Sequence, residues 1–146
     1  MPNILPTELP TELPTELPAK LPIERRHIGK RMSDIVVFAP AGQRIAWLAG
    51  QVAADPTGDI TAQTRSVLAQ IDALLAEIGS DKTRILSATI YLPDIKDFPV
   101  MNAVWDAWVP QGHTPARATV EANLAAPAYK IEIQVVAAAP AAPTNK

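Results

Sequence analysis

The chain has no cysteine among its 146 residues and only two histidines, His27 and His113. Without thiols there is no disulfide, no thiolate nucleophile and no sulfur-ligated metal. Two histidines also exclude a histidine-rich metal centre, so no metal is expected. No uninterrupted apolar run approaches the roughly 20 residues that cross a bilayer as a helix. The first residues lack the basic start and continuous apolar stretch of a secretory signal, so a cytoplasmic location is expected. A formal charge of −2 supplies no global attraction to nucleic acid phosphates or acidic lipid surfaces. Neither nucleic acid nor membrane is an expected partner.

What is present suits one globular domain. Hydrophobic residues make up 48% of the chain, enough to bury a real core at this length. Residues 1–22 stand apart from it. The tetrapeptide Pro6-Thr7-Glu8-Leu9 recurs from Pro10 and from Pro14, and Pro18-Ala19-Lys20-Leu21 is a degenerate fourth copy. Leucine every four residues would stripe a helix, but proline recurs at the same interval. Each interior proline costs a helix roughly 3 kcal/mol, so the segment is expected to be an extended or disordered tail. Residues 140–146 read as a short second tail. The folded domain is therefore expected over residues 23–139.

Inside that region strands and helices alternate. Ser33 to Ala39 and Ile45 to Ala49 read as a hairpin around Pro40-Ala41-Gly42-Gln43. Over residues 61–78, Val67, Leu68, Ile71, Leu74, Leu75 and Ile78 share one helical face, with Asp59 or Thr61 as N-cap and Gly79 at C′. Arg84 to Leu92 is a third strand. A second helix, capped by Asp97, carries Pro99 in its first turn and turns Met101, Val104, Trp105 and Trp108 inward. Strands at Ala116 to Ala122 and Tyr129 to Ala138 complete the order β-β-α-β-α-β-β. That order predicts an α+β domain, a mixed sheet with both helices on one face.

Two helices leave the other face for water or a partner. On the last strand Tyr129, Ile131, Ile133 and Val135 oppose Lys130, Glu132, Gln134 and Val136. On the strand before it Ala118, Val120 and Ala122 oppose Arg117, Thr119 and Glu121. Assigning the apolar sets to the helices puts Arg117 and Glu132 together on the uncovered face.

Pro115-Ala116-Arg117-Ala118-Thr119-Val120-Glu121, followed after Ala125-Ala126-Pro127 by Lys130-Ile131-Glu132-Ile133, resembles the signature of the Rid (reactive intermediate deaminase, YjgF) family. Leu48-Ala49-Gly50-Gln51-Val52 is similar to that family's second strand, and Asp97-Phe98 through Asn102-Ala103-Val104-Trp105 to its second helix. The resemblance spans about residues 31–139 and is closer to the YoaB-like branch than to RidA. It implies a chorismate-mutase-like fold assembled as a homotrimer, with clefts between subunits. It also implies that Arg117 binds a substrate carboxylate, that Glu132 positions the hydrolytic water, and that Gly50 lies against the ligand. The chain departs from the pattern at Thr119, where many members have cysteine, and at Ala49, where serine is common. Arg31 and Met32 stand where a gating tyrosine is expected. Thr119 and Ala49 are carried as substrate-binding positions, and these departures bear on substrate range more than on the reaction.

The residue types suit the implied chemistry. A guanidinium grips a carboxylate bidentately and so orients the carbon beside it. A carboxylate held near an imine carbon can take a proton from attacking water. Imines are reactive already, so positioning and one base suffice without a cofactor. The expected function is hydrolysis of 2-imino or 2-enamino acids to 2-oxo acids and ammonia; the alternative is a non-catalytic metabolite binder using the same cleft. Plainer readings stand beside these. An arginine and a glutamate on neighbouring strands commonly form a cross-strand ion pair worth under about 1 kcal/mol. His113 reads as an exposed loop residue, Glu121 as structural, and Trp47, Trp105 and Trp108 as core or interface anchors. The acidic loop Asp55-Pro56-Thr57-Gly58-Asp59 lacks a full calcium-loop pattern, and Glu24-Arg25-Arg26-His27 reads as a solvated charged face.

Overall fold

The computed structural model describes residues 23–28, 30 and 32–141; the proline repeat of residues 1–22 lies outside them. Among the described residues the strands are β1 (Ile23–Ile28), β2 (Ser33–Phe38), β3 (Arg44–Leu48), β4 (Gln51–Val52), β5 (Ile85–Leu92), β6 (Ala116–Glu121) and β7 (Glu132–Ala139). The helices are α1 (Ile60–Glu77) and α2 (Phe98–Trp108). The sheet runs β1-β2-β3-β7-β5-β6, with β4 also paired to β7. β5 and β6 are parallel, and the other pairs are antiparallel. The expected α+β layering is what forms: both helices pack on one face of a mixed sheet.

Alternation explains that face. Ile133 and Val135 of β7, Ala88, Ile90 and Leu92 of β5, Ala46 and Leu48 of β3 and Ile35 and Val37 of β2 are all buried. They meet Val67, Leu68, Ile71 and Leu75 of α1 and Met101 and Trp105 of α2 in one core. Fully burying a side chain of this size contributes about 1.5–3 kcal/mol, which outweighs any weakness in local propensity. Asp59 caps α1 by accepting the Ala62 N–H at 2.8 Å. Gly79 follows α1 at a φ of 73°, a left-handed conformation that glycine adopts without penalty. Arg44, buried on β3, ties this end down: its guanidinium donates to Ile78 O and to Pro140 O, each at 2.6 Å.

Four details differ from expectation. β1 is a paired edge strand where a solvated run was expected, and its charges suit an edge. Its Arg26 donates to Glu77 O at 3.0 Å, and His27 Nε2 lies 2.9 Å from the Glu77 carboxylate. β4 is an additional short strand. Asp97 makes no side-chain cap on α2; Asp94 accepts from Lys96 N in the turn before it. β7 begins at Glu132 and not at Tyr129, because Tyr129 N bonds to Ala126 O in a turn.

Candidate active site

The two residues expected to share a site lie on opposite faces of the sheet within one chain. Cα partners in a ladder project to the same side. Arg117 pairs with Ala88 and Thr119 with Ile90, whose side chains point into the helix layer. Glu132 pairs with Tyr91 and Gln134 with Thr89, whose alternation is the reverse. β5 also runs between β6 and β7, so the two are not on neighbouring strands. The face assignment made for β6 is therefore corrected: Ala116, Ala118 and Val120 take the uncovered face. The plain cross-strand ion pair is excluded for the same reason.

One half of the candidate site is built around Glu132. This residue opens β7 and is held by pairing with Val52 on one side and Tyr91 on the other. Its carboxylate lies against the backbone of Gly50. A Cβ at position 50 would sit 2.8 Å from Glu132 Cδ and Oε2, so only glycine leaves that space open. Ala49 beside it is pinned through its N–H to Asp34 O at 2.9 Å, while its carbonyl accepts the Gln51 side-chain amide at 3.0 Å.

The approach to Glu132 is fixed by Gln63, a fully buried residue of α1. Its amide nitrogen lies 3.0–3.1 Å from the carbonyls of Pro56, Gly58 and Ala128, and its Oε1 accepts the Lys130 N–H at 2.9 Å. One side chain thus ties the acidic loop after β4 to the segment that leads into β7. The sequence reading missed Gln63, because a glutamine among apolar helix positions carries no signal of its partners.

The other half surrounds Arg117. Its guanidinium carbon lies 5.1 Å from the centre of the Trp105 ring and 5.9 Å from that of Phe98. Such cation–π contacts are worth about 0.5–2 kcal/mol and orient the planar group. Asn102 falls one helical turn from both rings on the same side of α2. Its Oδ1, and Thr119 Oγ1 on β6, are buried without a hydrogen-bond partner. Orphaned atoms of this kind cost free energy and mark places where another group completes the network. In the sequence Asn102 stands out only as part of a family-like helix, and its helical phase with Phe98 and Trp105 is the available clue.

Other positions take quieter roles. His113 sits exposed after a turn closed by its own N–H to Pro110 O. Glu121 accepts from Ile95 N at 3.1 Å and so supports the entry to α2. Trp105 is buried, whereas Trp47 is 41% exposed on the uncovered sheet face beside Val36 and Val136. Among the described residues no group of three or more His, Asp or Glu is placed to hold a metal ion, and no helix is long and apolar enough to cross a membrane.

Fold and site define a YjgF-type protein. Residues 31–139 match the family described as endoribonuclease L-PSP, and the chain belongs to that family, which is also known as YjgF or Rid. It is 42% identical over 116 residues to a RutC family protein of Haemophilus ducreyi, covering 80% of this chain and 96% of that one. It is 56% identical over 80 residues to the RutC family protein YoaB of Escherichia coli, covering 55% of this chain and 70% of that one. The crystal structure of NMB1025 from Neisseria meningitidis, a member of the YjgF protein family, superposes with a TM-score of 0.75 at 45% identity, covering 82% and 97% of the two chains.

Proposed function

We propose that this protein hydrolyses 2-imino and 2-enamino acids to 2-oxo acids and ammonia, in clefts where the Arg117 half of one subunit meets the Glu132 half of another. The observation that carries the reading is the division of the site. Each half is formed by one chain, and neither is opposed by its complement within that chain. The reading requires a homotrimer that sets the edge strand β6 of one subunit against the uncovered face of the next, where Trp47 and Val120 are exposed apolar residues.

The chemistry follows from the two halves. Arg117, held flat by Phe98 and Trp105, binds the substrate carboxylate through two parallel N–H donors. Thr119 and Asn102 offer their free oxygens to the substrate nitrogen or to its bound water. An enamine shifts a proton from nitrogen to carbon to become the imine. Glu132 accepts a proton from water as the oxygen bonds to the imine carbon, the C=N electron pair moves to nitrogen, and the carboxyl passes that proton to the nitrogen. The carbinolamine's hydroxyl proton then passes through Glu132 to the amino group, which leaves as ammonia and gives the 2-oxo acid. The pocket side at Ala49 and Gly50 is backbone, so it shapes the cleft without adding charge.

The test is competition. An amino-acid oxidase generates the imino acid in place, and semicarbazide traps whatever imine remains. The protein is expected to lower the yield of semicarbazone in proportion to its concentration. Undiminished trapping, together with measurable binding of a 2-oxo acid, would make the protein a metabolite binder. Release of nucleotides from RNA under the same conditions would favour the activity named in the family's description.

A further inference from the structure

The outer surface of the helical layer carries a second cavity, none of whose lining residues belongs to the Arg117 or Glu132 halves. α1 and α2 lie side by side, and the groove between them has a volume of about 460 Å³. That is within the roughly 300–1,000 Å³ typical of small-molecule sites. The groove stays open because Ala69, Ala103 and Ala107 stand where larger side chains would interlock, while Leu68 and Val104 form an apolar floor.

Charge along the groove is uneven. At one end Lys82 sits 5.2 Å over the Trp108 ring, and Asp72 accepts the Trp108 indole N–H at 2.9 Å. A cation and an anion share that end and offset each other. Arg65 lines the groove nearer the start of α1, seven residues from Asp72 or about 10 Å along the helix. Among the described residues it enters no salt bridge. The groove is thus an apolar trough with one uncompensated guanidinium towards one end.

We propose that this groove binds a small amphipathic monocarboxylate, with its carboxylate on Arg65 and its apolar body over Ala69, Ala103 and Ala107 towards Trp108. Complementarity selects this class. The guanidinium fork matches one carboxylate. A cationic headgroup would be repelled at Arg65, and at the far end the mutually offset Lys82 and Asp72 give a second charge of either sign no net partner. The distance from Arg65 to the Trp108 end sets an apolar body of about 10 Å.

Decanoate is a suitable probe, with decanol and decyltrimethylammonium as neutral and cationic controls. Binding is measured on the full chain by titration calorimetry and mapped by the Trp108 indole N–H and ¹³C-labelled alanine methyl signals. Decanoate is expected to shift Trp108, Ala69, Ala103 and Ala107 saturably and to bind at least tenfold tighter than either control. Arg65→Glu should weaken decanoate about tenfold or more, with Arg65→Lys intermediate. Ala103→Phe should fill the trough and abolish binding while leaving melting and imine hydrolysis unchanged. Equal binding of the three probes, or shifts confined to the surroundings of Arg117 and Glu132, would overturn the assignment. A tenfold gain in decanoate affinity on deleting residues 1–22 would also overturn it, giving the groove to the chain's own leucine- and glutamate-bearing repeat.

Discussion

The carboxylate of Glu132 occupies the space that a side chain at Gly50 would need: a Cβ there would come within 2.8 Å of Glu132 Cδ and Oε2. The clash is with the end of a flexible side chain and not with backbone. Gly50→Ala is therefore expected to displace Glu132 while leaving the fold intact. Imine hydrolysis should fall by about tenfold in kcat, the scale of a misplaced base, with a melting temperature close to wild type. A melting temperature that fell with the activity would show instead that residue 50 is a packing position.

Opposite placement of Arg117 and Glu132 predicts complementation between subunits. Arg117→Ala removes a charge-assisted contact worth roughly 1.5–3 kcal/mol, so kcat/KM should drop ten- to several-hundred-fold. Arg117→Lys should restore part of the loss, and Glu132→Gln should lower kcat with ligand affinity nearly kept. Unfolding and reassembling Arg117→Ala and Glu132→Gln chains together in equal amounts should then recover about a quarter of wild-type activity, the share of interfaces in a randomly mixed ring that join two intact halves. No recovery from a properly reassembled mixture would place both residues in one chain's site.

Gln63→Met keeps the volume of a fully buried residue but removes every bond that it makes to the loops around it. The Lys130 N–H and three carbonyls lose their partner, and each group left buried and unpaired costs about 1–3 kcal/mol. A fall in melting temperature on the order of 10 °C is expected. The segment before Glu132 should also exchange its amide hydrogens faster than the rest of β7. Unchanged exchange at Lys130 would show that the loop is held by other means.

The contact of β1 with α1 should depend on pH. His27 titrates above its ordinary value, first because it hydrogen-bonds Glu77 and then through that group's charge and through Asp34. Glu77 titrates below its ordinary value, chiefly through the hydrogen bond from His27. The histidine contribution is full below its unfolded value of 6.5 and is lost as pH rises through the higher folded value. The glutamate contribution is present above its unfolded value of 4.5 and is lost as pH falls through the lower folded one. The clamp is therefore strongest between the two. His27→Asn removes the charge and still tolerates the positive φ of 55° at this position. The stability difference between wild type and His27→Asn should be largest near about pH 5–6 and shrink in alkali. A difference independent of pH would assign the contact to packing.

Much of the architecture was legible because it is local. The stripe from Val67 to Ile78 could be nothing but a buried helix face, and Asp59 and Gly79 mark its ends by chemistry that needs no distant partner. Through β7 and the residue before it, Ile131, Ile133 and Val135 alternate with Glu132 and Gln134 so plainly that the inner face followed from the pattern. β1 was not legible, since Glu24 to His27 look solvated until β2 and Glu77 are placed beside them.

The pair Arg117 and Glu132, with the distance in sequence between them, was set out by the chain itself through its resemblance to a family. Which face each residue takes was decided only by tertiary structure. Along β6 the choice lay between alanine and valine on one side and arginine, threonine and glutamate on the other, and local hydrophobicity favours turning the aliphatic set inward. The parallel register with β5 overrides that preference, aligning Arg117 with Ala88 and Thr119 with Ile90. Phe98 and Trp105 then make the inner position tolerable for a guanidinium by covering it with aromatic rings. A strand's own pattern says which residues share a face, but the neighbouring strand and the helix above it determine which of the two faces is inside.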